Sequence, residues 1–288
     1  MSSVRPDIEA PSHPLEKDFA FRNNVAQAHV SIRNGFLRKV YGILFTQLAV
    51  TALVAGAMFY VRQPLLEASA FGGLSLLSAF LAFGFLIALA FKKHETPLNY
   101  ILLFGFTLLE SFAVGSIAYP EHRVTNNCWY GSVIVFFPGE ILFLRSDPCG
   151  ITSFIFQRFN VFASVLHYSG TIVLQAVGLT ALATFGLMSY TFQTKRDLSQ
   201  WGSGLCVALL LLIIAGPINF FLGSSLFEFS LSIGGALLFS LLIIYDTHRI
   251  MHHCSPEDYI VACIDLYLDI LNLFLYLLRI LKDIQGNN

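Results

Sequence analysis

Residues 234–281 read GGALLFSLLIIYDTHRIMHHCSPEDYIVACIDLYLDILNLFLYLLRIL, two long apolar runs joined by a short polar stretch. The first run carries Asp246 and the second carries Asp269. An ionised aspartate at the centre of a membrane helix costs roughly 2.5–3.5 kcal/mol on insertion scales, so such residues usually face a cavity or a partner. This pair of acids is therefore the first place to look for function.

The composition of the whole chain is that of an integral membrane protein. Of its 288 residues, 56% are hydrophobic and only 12% are charged, whereas soluble domains carry about 25% charged residues. The net charge of −1 argues against a nucleic-acid partner, because no basic surface is available to neutralise phosphates. The lipid bilayer is the expected surrounding of this chain.

Seven apolar runs are long enough to cross a bilayer, which takes about 20 residues. Runs of this length exclude strands and predict an all-α polytopic membrane protein, a seven-helix bundle. The predicted spans are Val40–Val61, Phe71–Phe91, Leu98–Tyr119, Ser169–Phe192, Trp201–Leu222, Phe227–Ile250 and Tyr259–Leu281. They divide the chain into a polar, largely disordered tail without a cleavable signal peptide (1–36), spans one to three (37–119), an atypical lumenal loop (120–168) and spans four to seven (169–288).

The basic residues of the tail and loops predict the orientation of the bundle. Eleven Lys and Arg residues share the side of the N-terminus if the spans alternate, and four lie in the first, third and fifth loops. Because cytosolic loops carry the excess of basic residues, we predict a cytosolic N-terminus. Arg279 and Lys282 also favour the cytosol, although seven crossings would place them outside. The seventh helix therefore either spans or dips in and returns.

The loop 120–168 contains the apolar patch GSVIVFFPGEILFL, which Pro138 and Gly139 interrupt. Lipid-facing backbone does not tolerate such a break, so we interpret the segment as a lumenal loop or a partial dip. Cys128 and Cys149 lie in it and are candidates for a disulfide in an oxidising lumen. The three remaining cysteines are predicted to be free thiols: Cys206, Cys254 and Cys263.

A polar stripe runs along the seventh predicted span. Residues at helical spacing place it on one face, which we expect to point into the bundle or toward water. Its members are Asp265, Asp269, Asn272, Tyr276 and Arg279. Asp246 lies near the inner end of the sixth span, and Arg249 is assigned to the loop that follows.

Asp246 and Asp269 are candidates for a pH sensor. Two carboxyls in a low-dielectric site do not both ionise cheaply, so they would share a proton and hold the two helices together. Deprotonation would break this latch and leave oxygens that suit Ca²⁺, a cation that prefers carboxylate ligands. The alternative is an inert, hydrogen-bonded core pair that only stabilises the hairpin.

Other side chains extend this hypothesis. Glu110 in the third span either lines the same path or makes a packing contact, and Asp265 and Asn272 are further pore-lining candidates. Asp265 is close enough to the polar connection to reach toward the cytosolic face, and Glu228 lies near a lumenal helix end, where it could attract cations. The i, i+4 pair His248 and His252 is either a zinc site, with Asp246 and His253, or two solvated histidines.

The hairpin, with its YDTH and LYLDI elements, resembles the signature of the transmembrane BAX inhibitor motif (lifeguard) family, nearest to its Golgi anti-apoptotic branch. The resemblance extends over residues 39–54 (KVYGILFTQLAVTALV), over residues 92–111 and from about Thr171 to the C-terminus. It implies six or seven spans with a central or re-entrant last helix. It also maps the family's di-aspartyl pH sensor onto Asp246 and Asp269, and its third-span acid onto Glu110.

The same resemblance implies a function. Members of the family are described as pH-sensitive Ca²⁺ leak channels of Golgi and endoplasmic reticulum membranes and as suppressors of cell death. Ca²⁺ is then the transported ion and no cofactor is expected, while cell-death regulators or intracellular Ca²⁺ channels are the candidate partners. Two features depart from the family pattern: an insertion at about Glu121 to Leu166 in place of a short turn, and the additional acid Asp265.

Three alternatives compete with the leak channel. A non-conducting anti-apoptotic scaffold would act through protein partners alone. An intramembrane aspartyl protease also places acids on neighbouring helices, but its second acid needs a GxGD context, and Leu266-Tyr267-Leu268 precede Asp269 here. A receptor would have seven spans, but its signalling motifs are not recognisable. Because the GxGD context that the protease needs is absent, we predict a protein that is not an enzyme.

Overall fold

The computed structural model describes residues 30–60, 68–117, 170–194, 198, 200–222, 224–255 and 257–286. The described residues form seven α-helices and no strand, which confirms the predicted all-α class. These are α1 (Val30–Tyr60), α2 (Ala68–Lys92), α3 (Leu98–Ile117), α4 (Gly170–Gln193), α5 (Trp201–Leu222), α6 (Ser225–His252) and α7 (Tyr259–Gly286). The predicted loop 120–168, with Cys128 and Cys149, lies outside the described residues.

The helices agree closely with the predicted spans, and the differences lie at their ends. Trp201–Leu222 is the same range in both, whereas α1 begins at Val30, inside the segment assigned to the N-terminal tail. Hydropathy marks only the apolar part of a helix, and the helical backbone continues into neighbouring polar residues that favour it. The described chain therefore enters its first helix earlier than the apolar pattern alone indicates.

Several of the described helices are suited to a bilayer by length and composition. Five are long and apolar enough to cross a membrane: Arg33–Met58, Leu98–Gly115, Thr171–Gln193, Ser225–His252 and Tyr259–Gln285. Two shorter apolar stretches lie in α2 and α5, at Phe80–Lys92 and Trp201–Gly216. Large apolar side chains point outward, with Phe45, Leu182 and Leu226 more than 70% exposed. A surface of this kind is stable against lipid and would be a liability in water.

Helix α7 lies at the centre of the bundle. It packs against α1, α4 and α6, and 89% of its most apolar 18-residue stretch is buried, compared with 22% for α1 and for α4. The helix is uninterrupted from Tyr259 to Gly286, a length of about 42 Å at 1.5 Å per residue. It therefore contains no break at which the chain could turn back, and the central position is the one observed.

Candidate functional site

The acids of the hairpin meet where α6 packs against α7. Asp246 lies near the end of α6, and Asp269 lies in the first half of α7, with a short connection between the helices. Both residues are buried, with 6% and 7% of their surface exposed. Their carboxyl groups lie close enough to interact electrostatically. The structure thus brings together the two residues that the sequence proposed as a pair.

The carboxyl oxygens of the pair do not all have a hydrogen-bond partner among the described residues. Oδ2 of Asp269 is buried and has no hydrogen-bond partner among the described residues. A buried carboxylate oxygen without a donor is costly, whereas a carboxyl pair that holds a proton supplies its own donor. The unpartnered oxygen therefore suits a pair that holds a proton better than a fully ionised pair.

Arg249 and Asp265 form an ion pair across the same helix contact. A guanidinium nitrogen of Arg249, Nη2, donates a hydrogen bond to Oδ2 of Asp265. The count of basic residues placed Arg249 in the loop after the sixth span, although the predicted span Phe227–Ile250 includes it, and the structure places it in a helix. Arg249 belongs to α6, and Asp265 is only 4% exposed. Each charge is tolerated in the bundle because the other compensates it.

The guanidinium also faces the acid pair. Nε of Arg249 lies 3.8 Å from Oδ1 of Asp246, beyond hydrogen-bond length, and has no hydrogen-bond partner among the described residues. Three carboxyl groups and one guanidinium are thus packed between two apolar helices. Arg249 is the functional residue that sequence reasoning missed, although its position one turn after Asp246 on the same helix was a usable signal.

A cysteine beyond the end of α6 interacts electrostatically with the same charged residues. Cys254 lies in the connection between the two helices and is one of three free thiols among the described residues, as predicted. Burial raises the pKa of its thiol to about 11, and Asp265 and Asp246 add to this effect, while the positive charge of Arg249 opposes it. The thiol is therefore protonated at neutral pH.

The polar stripe of α7 faces the interior, as its spacing predicted. Asn272, Tyr276 and Arg279 are all less than 10% exposed, like the two acids that precede them. Tyr276 stacks on Phe239 of α6 with ring centroids 5.8 Å apart, and the guanidinium of Arg279 lies 5.8 Å from the Tyr276 ring. The stripe therefore forms the contact surface of α7 with α6 at this level.

Glu110 is completely buried on a different helix. It belongs to α3, which packs against α1 and α2, whereas the acid pair lies between α6 and α7. Its neighbour Ser111 donates a hydrogen bond of 3.1 Å to Oγ1 of Thr51 on α1. The third acid is therefore buried on α3, outside the contact between α6 and α7, and its place in a common path with the pair remains a proposal.

A buried hydroxyl network links this region to α7. Thr51 Oγ1 lies 2.8 Å from the hydroxyl of Tyr267, and Gln47 Nε2 donates to Thr107 Oγ1 over 3.2 Å. This network was not predicted from the sequence. Its signal was the i, i+4 repetition of polar residues on two otherwise apolar helices, Gln47 with Thr51 and Thr107 with Ser111.

The histidines at the end of α6 are close together without forming a metal site. The rings of His248 and His252 are 4.6 Å apart, and those of His248 and His253 are 5.7 Å apart. Within the described ranges, no group of three or more His, Cys, Asp or Glu residues is arranged to hold a metal ion. The geometry therefore does not support the zinc alternative. Two carboxyls also fall short of the six to eight oxygens that a resident Ca²⁺ takes.

Known proteins resemble this chain along most of its length. A family model described as "Inhibitor of apoptosis-promoting Bax1" matches residues 33–136 and 150–287. The break between the two matches, 137–149, lies inside the segment that the sequence assigned to an insertion.

Similar proteins align over nearly the whole length. "Protein lifeguard 4" of Mus musculus is 35% identical over 275 residues, covering 96% of each chain. The "Golgi anti-apoptotic protein" of Vaccinia virus (strain Lister) is 36% identical over 279 residues, covering 96% of this chain and 97% of the relative. "Bax inhibitor 1" of Schizosaccharomyces pombe is 32% identical over 281 residues, covering 97% of this chain and 88% of the relative. The chain therefore belongs to the Bax inhibitor-1 (lifeguard) family of multi-pass membrane proteins.

Proposed function

We propose that this protein is a pH-sensitive Ca²⁺ leak channel of intracellular membranes, gated by Asp246 and Asp269. The observation that carries the proposal is the burial of these two carboxyls on helices that pack against each other, where their charges interact. Buried acids in membrane helices are costly and mark ion or proton pathways. We propose no enzymatic activity for this protein.

In the closed state the two carboxyls share a proton and hold α6 against α7. Loss of this proton leaves two negative charges in an apolar contact, where they repel each other strongly. The helices separate, and the exposed carboxylate oxygens attract the passing cation, for which hard oxygen ligands are the preferred partners. Opening at higher pH follows directly from this mechanism.

The cellular role follows from the leak. A steady loss of Ca²⁺ from Golgi and endoplasmic reticulum stores leaves less Ca²⁺ available to promote apoptosis. The names of the relatives, one of which is a Golgi anti-apoptotic protein, support this membrane system and this role. In this proposal the N-terminus is cytosolic, in agreement with the distribution of basic residues.

The test is Ca²⁺ flux from liposomes that contain the purified protein, measured across a series of pH values. We expect a leak that increases with pH in the wild type, and a flat pH profile for Asp246→Asn and for Asp269→Asn. Asp283→Asn removes an acid from the same helix α7 away from the pair and should keep the wild-type profile. An unchanged profile in both pair variants would contradict the latch.

A second candidate is a non-conducting anti-apoptotic scaffold. The relatives' names describe inhibition of apoptosis and say nothing of conductance, which is the observation in its favour. Cell-death regulators or intracellular Ca²⁺ channels would be its partners. Folded wild-type protein that conducts no Ca²⁺ at any pH, both intact and with residues 121–166 deleted, would favour the scaffold over the channel.

A further inference from the structure

Arg249 occupies a position between the acid pair and a separate acid. Its Nη2 atom is bonded to Asp265, and its Nε atom faces Asp246 at 3.8 Å with no hydrogen-bond partner among the described residues. The guanidinium is thus anchored at one end and has an unused donor at the other. This donor is aimed at the carboxyl that the proposed mechanism deprotonates.

We propose that Arg249, held in place by Asp265, is the positioning residue that supplies the counter-charge for the deprotonated acid pair and so sets the pH at which the leak opens. This inference rests on the proposed function. A shift of about 0.8 Å would bring the Nε···Oδ1 distance to about 3.0 Å, a normal hydrogen-bond length. The positive charge favours the ionised pair, whereas Asp265 partly cancels it and holds it in place.

Among the described residues, few other charges are close to this position. From α6 the guanidinium meets Asp246, with His248 one residue before it; from α7 it meets Asp265 and Asp269; and from the connection it meets Cys254. Helices α4 and α5, which also pack against α6, contain no Asp, Glu, Lys, Arg or His. On α1 the ammonium of Lys39 lies over the Tyr259 ring, 3.3 Å from its centroid. Within the described ranges, Arg249 is therefore the cation that interacts with the pair.

The two partners of the ion pair give opposite predictions. Arg249→Gln leaves Asp265 uncompensated beside the pair, which then keeps its proton longer, so the leak midpoint moves to higher pH by about one unit. Asp265→Asn leaves Arg249 uncompensated, so the midpoint moves to lower pH. The double variant removes both charges and should return toward the wild-type midpoint. Arg249→Lys keeps the charge and should lie closer to the wild type than Arg249→Gln.

A purely structural role would produce a different pattern. Single variants that shift the midpoint in the same direction, or that leave it unchanged in a pH-dependent wild type, would overturn the inference. Thermal melting of each variant identifies protein that has failed to fold, and Arg249→Lys then provides the readout of charge. The flux midpoints are measured on the full-length chain in liposomes.

A second measurement separates this inference from the proposed function. The infrared band of the protonated carboxyl, assigned by its loss in Asp269→Asn, reports protonation of the pair without any need for conductance. Its titration midpoint should show the same opposite displacements in Arg249→Gln and Asp265→Asn. If the wild type does not conduct but these displacements occur, the leak function fails and the role of Arg249 stands. If they do not occur, the role of Arg249 fails.

Discussion

Tyr276 of α7 packs directly against Gly235 of α6, so closely that a Cβ atom on Gly235 would lie 2.5 Å from two carbons of the tyrosine ring. The same ring stacks on Phe239 of α6, with the two planes inclined by 17°. Glycine at position 235 therefore permits the approach of two helices that carry the acid pair further along their length. Small residues have this role in many membrane bundles, where close backbone approach replaces the hydrophobic effect.

We expect Gly235→Ala to destabilise the bundle by about 1–3 kcal/mol, because Tyr276 must move against Phe239 to admit the methyl group. Gly234→Ala is the matched control, since a Cβ atom there has no heavy atom of the described residues within 4 Å and alanine is the better helix former. Thermal unfolding in detergent measures both variants. Equal stability of the two variants would contradict the close contact between Gly235 and Tyr276.

The hydrogen bond between Thr51 and Tyr267 should contribute modestly to stability. Tyr267→Phe removes a buried hydroxyl that lies 2.8 Å from Oγ1 of Thr51, and such bonds in membrane bundles average about 0.6 kcal/mol. A double-mutant cycle with Thr51→Val measures the coupling directly. Thr46→Val removes an exposed hydroxyl that bonds only within its own helix, to the carbonyl of Gly42, and should show no coupling to Tyr267→Phe.

Lys39 should stabilise the start of α7 through its contact with Tyr259. Its ammonium lies 3.3 Å from the centroid of the Tyr259 ring and 5.8 Å from that of Tyr100. An exposed contact of this type contributes about 0.5–1 kcal/mol, so Lys39→Gln should lower the melting temperature measurably. Lys92→Gln breaks an exposed ion pair with Glu95 and should have a smaller effect. A larger effect of the control would show that the ring contact is not the stronger interaction.

Cys254 should react slowly with alkylating reagents in the folded protein. Because the thiolate is the nucleophile and the pKa of this thiol is about 11, the thiolate fraction at pH 8 is roughly two orders of magnitude below that of a free cysteine. Raising the pH toward 11 should accelerate the reaction, and unfolding should remove the difference. Mass spectrometry that resolves the Cys254 peptide of the wild-type chain measures the rate. Fast alkylation of native protein at pH 8 would contradict the buried, acid-flanked position.

Most of the helical framework was predictable because it follows from local properties. A bilayer needs about 20 apolar residues, and runs of that length are visible without any knowledge of contacts, as Trp201–Leu222 shows. Helical periodicity then placed Asp265, Asn272 and Arg279 on one face, and all three are buried. Hydropathy could not locate the start of α1, because the residues after Val30 are polar and still helical.

The pairing of side chains across helices was not predictable in the same way. The sequence identified Asp246 and Asp269 as partners through their cost in lipid and their family resemblance, and the tertiary structure brings them together. It counted Arg249 among the basic residues of a loop, because counting charges for orientation does not consider partners inside the bundle. In the bundle the same residue is held by Asp265 and aimed at Asp246.

The physical reason for this division is the range over which each property acts. Membrane span, helix and buried face depend on residues within a few turns of one another, and the amino-acid order alone determines them. The partner of a guanidinium depends on the depth and rotation of two helices, which are set by contacts distant in sequence, such as that of Gly235 with Tyr276. Packing of the helices therefore decided that the two costly acids of the hairpin belong to a charged cluster that also contains an arginine.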